Sequence, residues 1–251
     1  MDGPPQASPW RKTRDREEER KAKRLAVLRT AAQIFNEKGF HATSLDEVAE
    51  RLHVTKATLY YYVKSKDEIL FECVRIGLER MKTAIAAVGR SGGRPVDKLH
   101  AAMRQYAEIV TMDFGMCLIR VGEEPLPANS RKELRRLKAQ IDSEFRNLIA
   151  QGVADGSLAA CDPKLAAFTL AGALSWIGRW YRDDGLLGPG PIAEQAIALL
   201  MNGLTARGED ARKEKIESKA KGERAPPRSR KKSGDTAGLP PRKPDSGRDT
   251  S

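Results

Sequence analysis

Three cysteines and three histidines in 251 residues leave little material for a metal centre or a disulfide framework. Cys73, Cys117 and Cys161 are far apart, odd in number and without paired ligand spacing, and His41, His53 and His100 are equally scattered. No glycine-rich phosphate cradle and no nucleophile, base and acid arrangement occurs, so nothing calls for catalysis, a metal or an organic cofactor. Long apolar runs are missing as well. The most apolar stretch, Leu165 to Ile177, falls short of the roughly 20 residues a membrane span needs, and the charged amino terminus does not read as a signal peptide. The expectation is a cytoplasmic protein with no membrane partner. Strand signals are few and no internal repeat is found, which leaves an all-α fold.

What the chain does have is basic charge, unevenly placed. The formal net charge is +11, and residues 207 to 251 carry fourteen Lys and Arg against eight Asp and Glu. That tail is poor in apolar residues and rich in Pro, Gly, Ser and Lys/Arg, so it cannot bury enough surface to fold. It reads either as a solvated extension or as an arm that adds sequence-independent DNA affinity through counterion release. Residues 1 to 20, with Pro4, Pro5 and Pro9 followed by a mixed-charge run, read as a second flexible arm.

The most informative stretch is TSLDEVAERLHVTKATLYYYV, Thr43 to Val63. Gly39 ends a preceding helix. Ser44 with Glu47 then forms a capping box, and Leu45, Val48, Ala49 and Leu52 repeat at helical spacing. After a tight turn at His53, Thr55 caps a second short helix in which Leu59 and Val63 face the core while Lys56, Thr58 and the tyrosines point outward. Tyr60, Tyr61 and Tyr62 cannot all enter one core, because consecutive helical positions point about 100° apart. Hydroxyl and ammonium groups on such a helix suit phosphate oxygens, and a tyrosine can reach base edges in a major groove wide enough to admit a helix.

On these residues the chain resembles a known family. The run AAQIFNEKGFHATSLDEVAERLHVTKATLYYYVKSKDEIL is similar to the amino-terminal domain of the TetR family of transcriptional repressors, over about residues 21 to 81. The resemblance implies a three-helix helix-turn-helix domain. By position it implies DNA contacts from Thr43 and Ser44, from Thr55, Lys56, Thr58, Tyr60, Tyr61 and Tyr62 on the recognition helix, and from Lys66 at the next helix start. Ser65 with Glu68 makes a second capping box there. One departure from the family pattern is His53, which stands where glycine is usual, so a positive φ there would carry strain.

Beyond the motif, residues 82 to 206 read as a larger helical domain. Asp67 to Val88 forms a connecting helix, ended by GRSGGR. Pro95 opens a helix with an apolar stripe of Val96, Leu99, Met103, Tyr106 and Val110, and a short helix follows around Phe114 to Val121. Pro127 begins a long helix buried through Leu134, Leu137, Ile141, Phe145, Leu148 and Ile149. Asp162 and Pro163 cap a helix that is apolar nearly all round from Leu165 to Tyr181. Such a helix is expected to be covered on every side. With Pro191 to Leu204 it would form a four-helix bundle with the same pair from a second copy. TetR-like proteins dimerise in this way, so the resemblance implies a homodimer on a palindromic operator of double-stranded DNA.

The runs DFGMCLIRVGEEPLP, IAQGVADGSLAACDPKLAAF and AGALSWIGRWYRDDG resemble more narrowly the TetR regulators of fatty-acid, steroid or aromatic catabolism that respond to acyl-CoA thioesters. Ser175 departs from those relatives, which often carry asparagine there. For an apolar effector group, Met103, Tyr106, Val110, Phe114 and Cys117 are candidate pocket residues, the other reading being plain core. Trp176, Arg179 and Trp180 are candidates for stacking and anion binding, with Arg120 as a second anion candidate, the other reading being a dimer-interface cluster. Function is thus expected to be repression relieved by a small effector. The alternative is a sequence-tolerant architectural DNA-binding protein that relies on its basic tail.

Overall fold

The computed structural model describes residues 9–203, with side chains from residue 16 onward. These residues form helices and turns with no strand among them. The first helix, α1 (Pro9–Lys38), begins earlier than expected, inside the stretch 1–20 that was read as a flexible arm. Glu17–Lys21 at 2.9 Å and Glu19–Lys23 at 2.6 Å are i,i+4 pairs in the favourable order, and they support this polar amino-terminal half. Residues 1–8 and the basic segment 207–251 lie outside the described residues.

Local signals set the next three helices. Gly39, at φ 85°, stops α1 and donates its N–H to Phe35 O at 2.9 Å. Ser44 then caps α2 (Leu45–Arg51), Thr55 caps α3 (Lys56–Tyr62), and Ser65 caps α4 (Lys66–Arg90). Each cap accepts a hydrogen bond from the backbone N–H three residues on, which satisfies one of the open donors of the first turn. Helices as short as α2 and α3 are unstable alone. They are held because Val48 and Leu59 are fully buried in one core with Leu28 and Phe35 of α1, the helix against which both short helices pack. Burial of a leucine such as Leu59 contributes about 1.5–3 kcal/mol.

The larger half comprises α5 (Pro95–Val110), α6 (Asp113–Arg120), α7 (Ala128–Ala154), α8 (Pro163–Trp180) and α9 (Pro189–Asn202). Prolines open α5, α8 and α9, and the Asp162 carboxylate accepts from Lys164 N at 2.7 Å and Leu165 N at 3.0 Å to cap α8. α4 packs against α1, α5, α6 and α7. Its approach to α6 requires glycine, since a Cβ on Gly77 would sit 2.8 Å from Phe114 O. The boundary expected at residues 81 and 82 therefore falls inside one continuous helix.

Cover for α8 was expected to come in part from a second copy, and among the described residues one flank is open: Leu165, Phe168, Trp176 and Trp180 are exposed, as are Leu199 on α9 and Leu186 and Leu187 between them. Within these residues α5, α6 and α7 cover the other flank of α8. Among the described residues no helix is long and apolar enough to cross a membrane.

Candidate DNA-reading face and effector cavity

The turn between α2 and α3 is closed by backbone bonds from His53 N to Glu50 O at 2.9 Å and from Val54 N to Ala49 O at 3.0 Å. They force His53 to φ 54°, the left-handed region anticipated at this position. Histidine occupies it without displacing α3, which starts on its Thr55 cap as expected. On α3, Tyr60 is 45% and Tyr61 68% exposed, and Thr55, Lys56 and Thr58 are exposed beside them. Lys56 reaches across the turn to Asp46 at 2.8 Å, and the bond raises its pKa. Tyr62 is half-buried, with its ring edge-on to Tyr61 at 5.0 Å. The outward face of α3 thus presents two exposed rings among hydroxyls and an ammonium, a surface of hydrogen-bonding groups left open among the described residues.

Two expected phosphate contacts are placed otherwise. Thr43 is only 3% exposed and its hydroxyl donates to Gly39 O at 2.8 Å, so it closes the end of α1 while Ser44 alone stays at the surface. Lys66 turns inward too. Its Nζ lies 3.0 Å from Phe40 O, 3.0 Å from Thr43 O and 3.5 Å from His41 O, and 4.5 Å from the centre of the Phe40 ring. All three ammonium protons are met by carbonyls of the α1–α2 connection. The Glu residues of the two capping boxes also look elsewhere, Glu47 to Lys38 and Glu68 to Lys64 N and Arg24.

In the larger half, a cavity of about 500 Å³ opens between α4, α5, α6, α7 and α8. Its walls are mainly apolar, with Leu78 and Met81 from α4, Leu118 from α6 and Ile141 and Phe145 from α7. Tyr106 reaches it from α5, and its hydroxyl lies 2.7 Å from Ser175 Oγ on α8. Burial raises the Tyr106 pKa, an effect the Ser175 bond partly offsets, so this pair is a neutral hydrogen-bonding point inside an apolar chamber. Lys138 and Arg179 bring positive charge to the edge, with Asp142 between. Lys138 is anchored by Glu123, which also receives Arg135, both at 2.8 Å. Burial pushes the Glu123 pKa up, but the two cationic bonds outweigh it and the net shift is downward.

Of the candidate pocket residues, Tyr106, Trp176 and Arg179 line this cavity. Met103, Val110, Phe114 and Cys117 do not. All four are buried where α4, α5 and α6 pack together, and Phe114 borders a separate small cleft instead. Cys117 lies beside Cys73, whose thiol pKa is raised chiefly by burial, so the Cys73 thiol is not poised to react. Arg120 is likewise reassigned. Its guanidinium donates to Gly178 O at 2.9 Å, Tyr181 O at 2.7 Å and Asn36 O at 3.3 Å, and so closes the carbonyl ends of α8 and α1 together. Trp180 is half-exposed and borders a different cleft, of about 710 Å³, between the end of α1 and the ends of α6 and α8. The wall residues that the sequence did not offer come from α4, α6 and α7 and from the rest of α8. The apolar stripe of α7 was legible, but a stripe does not distinguish a wall from a filled core.

The arrangement has close counterparts among known proteins. Residues 27–73 match the family model described as bacterial regulatory proteins of the tetR family, and residues 92–204 match the one described as tetracyclin repressor-like, C-terminal domain. The chain is 32% identical over 158 residues to the HTH-type transcriptional regulator RutR of Escherichia coli (strain K12), covering 59% of this chain and 70% of that protein. It is 26% identical over 190 residues to the HTH-type transcriptional repressor KstR2 of Rhodococcus jostii, covering 73% of this chain and 92% of the repressor. The crystal structure of AibR in complex with isovaleryl coenzyme A and operator DNA superposes with a TM-score of 0.64 at 25% identity, over 71% of this chain and 97% of AibR.

Proposed function

This chain belongs to the TetR family of DNA-binding transcriptional regulators, and from that premise we propose that it is a repressor which binds a palindromic operator as a homodimer and is released by an acyl-CoA thioester. The observation that carries the reading is α4, a single helix that is capped beside the DNA-reading motif and lends Leu78 and Met81 to the cavity wall. An occupant that fits only one placement of α4 favours that placement, and linkage then requires it to weaken operator binding by the factor by which DNA weakens its own. The bare flank of α8 and α9, with Phe168, Trp176 and Leu199, supports pairing with a second copy, since exposed apolar patches of this kind mark interaction surfaces. The apolar chamber with its one hydroxyl pair and cationic edge supports a ligand that is apolar at one end and anionic at the other. The likeness to AibR, whose crystal structure holds isovaleryl coenzyme A and operator DNA, supports the ligand class, and the likeness to the repressor KstR2 supports repression.

The proposed DNA contacts are Ser44, Thr55, Lys56, Thr58, Tyr60 and Tyr61, with Tyr62 as a partly buried neighbour. Selection from random duplexes should return an inverted repeat whose half-sites lie one helical turn or a multiple of it apart. Fluorescence anisotropy on that site, titrated with isovaleryl-, octanoyl- and phenylacetyl-CoA, should then show release, and Leu199→Glu should give a monomer with much weaker operator binding. A protein that enriches no sequence, or sediments as one chain at working concentration, refutes the reading.

A further inference from the structure

We propose that the polar cleft beside the cavity is the seat of the nucleotide end of the thioester, so that one ligand occupies both spaces. This rests on the effector reading above and adds where the second half of the ligand lies. A coenzyme A thioester joins an apolar acyl group to a nucleotide bearing several phosphate charges. The chamber walled by Leu78, Met81, Ile141 and Phe145 can take the first and not the second, because unpaired phosphate charge in an apolar enclosure carries a large desolvation cost. The nucleotide needs a separate polar seat next door.

Arg179 identifies that seat. It lines the acyl chamber and the cleft of about 710 Å³ alike, and is held only by a long 3.5 Å bond to Arg120 O at an exposed position. The cleft adds the guanidinium of Arg182, against one carboxylate, Glu124, which leans outward towards Arg131 at 3.8 Å; Arg120, also in its wall, is held on backbone carbonyls. Arg182 sits on a solvent-exposed Asp184 partner at 2.7 Å, a surface pair worth little and readily exchanged for a phosphate. The half-exposed indole of Trp180, in the same wall, offers a flat face for a purine. Two guanidinium groups, Arg179 and Arg182, and an indole line this opening, and Arg179 is shared with the apolar chamber, so the two spaces match the two ends of such a ligand in order. The far wall of the cleft is Phe35, Asn36, Phe40 and His41, from the end of α1 and the connection to the DNA-reading helices. A nucleotide seated there touches both halves of the chain.

The test uses the full chain and isothermal titration with the three thioesters named above, with the matching S-acyl pantetheines, which lack the nucleotide, and with adenosine 3′,5′-bisphosphate. The tightest thioester should bind at least tenfold better than its pantetheine counterpart. Arg182→Glu should remove most of that advantage while the pantetheine affinity and melting temperature stay unchanged, and the bisphosphate should quench tryptophan emission in the wild type but not in Trp180→Phe. Equal affinity for thioester and pantetheine, or an Arg182→Glu protein that keeps the advantage, overturns the nucleotide seat and leaves the acyl chamber standing. Failure of every thioester to bind overturns the effector reading and the nucleotide seat together.

Discussion

Lys66→Ala separates two roles for a residue at the start of the helix after the recognition motif. With its ammonium on Phe40 O and Thr43 O at 3.0 Å each and over the Phe40 ring, the lysine holds the α1–α2 connection against α4. Hydrogen bonds to a charged group contribute about 1.5–3 kcal/mol, and a partly exposed cation–π contact about 0.5–1 kcal/mol. The carbonyls are part-buried and regain some water when the lysine is removed, so the lower half of the summed range applies, about 2 kcal/mol. For a domain of this size each kcal/mol moves the melting point by about 2–4 °C, which gives a drop of ~4–8 °C by calorimetry. The second measurement is the salt dependence of operator binding. A lysine on a DNA phosphate contributes about one unit of slope in log affinity against log salt, so Lys66→Ala should leave the slope unchanged if the ammonium stays on the carbonyls. A melting point within a degree of wild type together with a slope lower by one unit would falsify the clamp and return Lys66 to the phosphate backbone.

Three other changes follow from single observations. His53→Gly should raise the melting temperature by a degree or more, because φ 54° costs a side-chain-bearing residue about 1 kcal/mol that glycine avoids, less the greater freedom of glycine in the unfolded chain; a fall would show that the imidazole makes an offsetting contact. Gly115→Ala should be among the most destabilising of conservative substitutions, ~3 kcal/mol or failure to fold, since its Cβ would lie 1.8 Å from Ile109 O; wild-type stability in chemical denaturation would show the α5–α6 corner to be looser than described. Glu123 is held below the ordinary glutamate value by Lys138 and Arg135, so its contribution is complete above that value and fades as pH falls through the lower folded-state value. The melting-point gap between wild type and Glu123→Gln should therefore be widest near neutrality and close on acidification below about pH 4; a gap independent of pH would remove the ion pairs from the account.

The helix ends were legible because their causes are local. Gly39, Ser44, Thr55, Ser65, Pro95 and Asp162 all act within a turn of where they stand, and the structure uses each as expected. Leu59 and Val63, four apart, also fell on the buried face. Partner choice over long sequence separations was not legible. Nothing local says that Lys66 reaches back 26 residues to Phe40 O, or that Arg120 spans 84 residues to Asn36 O, and both cations were read as anion seekers. The cavity failed for a related reason. Met103 and Tyr106 share one stripe of α5, yet only Tyr106 meets a void, because the void depends on how far α7 and α8 stand off. The apolar character of α8 was legible from its composition, whereas which of its flanks stays open was not, because that depends on where α5, α6 and α7 pack.

The unbroken length of α4 has a geometric consequence. From Leu78 back to Lys66 is twelve residues, about 18 Å at 1.5 Å per residue. If the rod pivots where the cavity grips it, a swing on the order of 10° carries its other tip sideways by about 3 Å. In a symmetric pair the two tips move oppositely, so their separation changes by about 6 Å against a groove repeat of ~34 Å. In the proposed dimer, a few carbon atoms settling against Leu78 and Met81 would then be enough to put two reading heads out of step with the duplex.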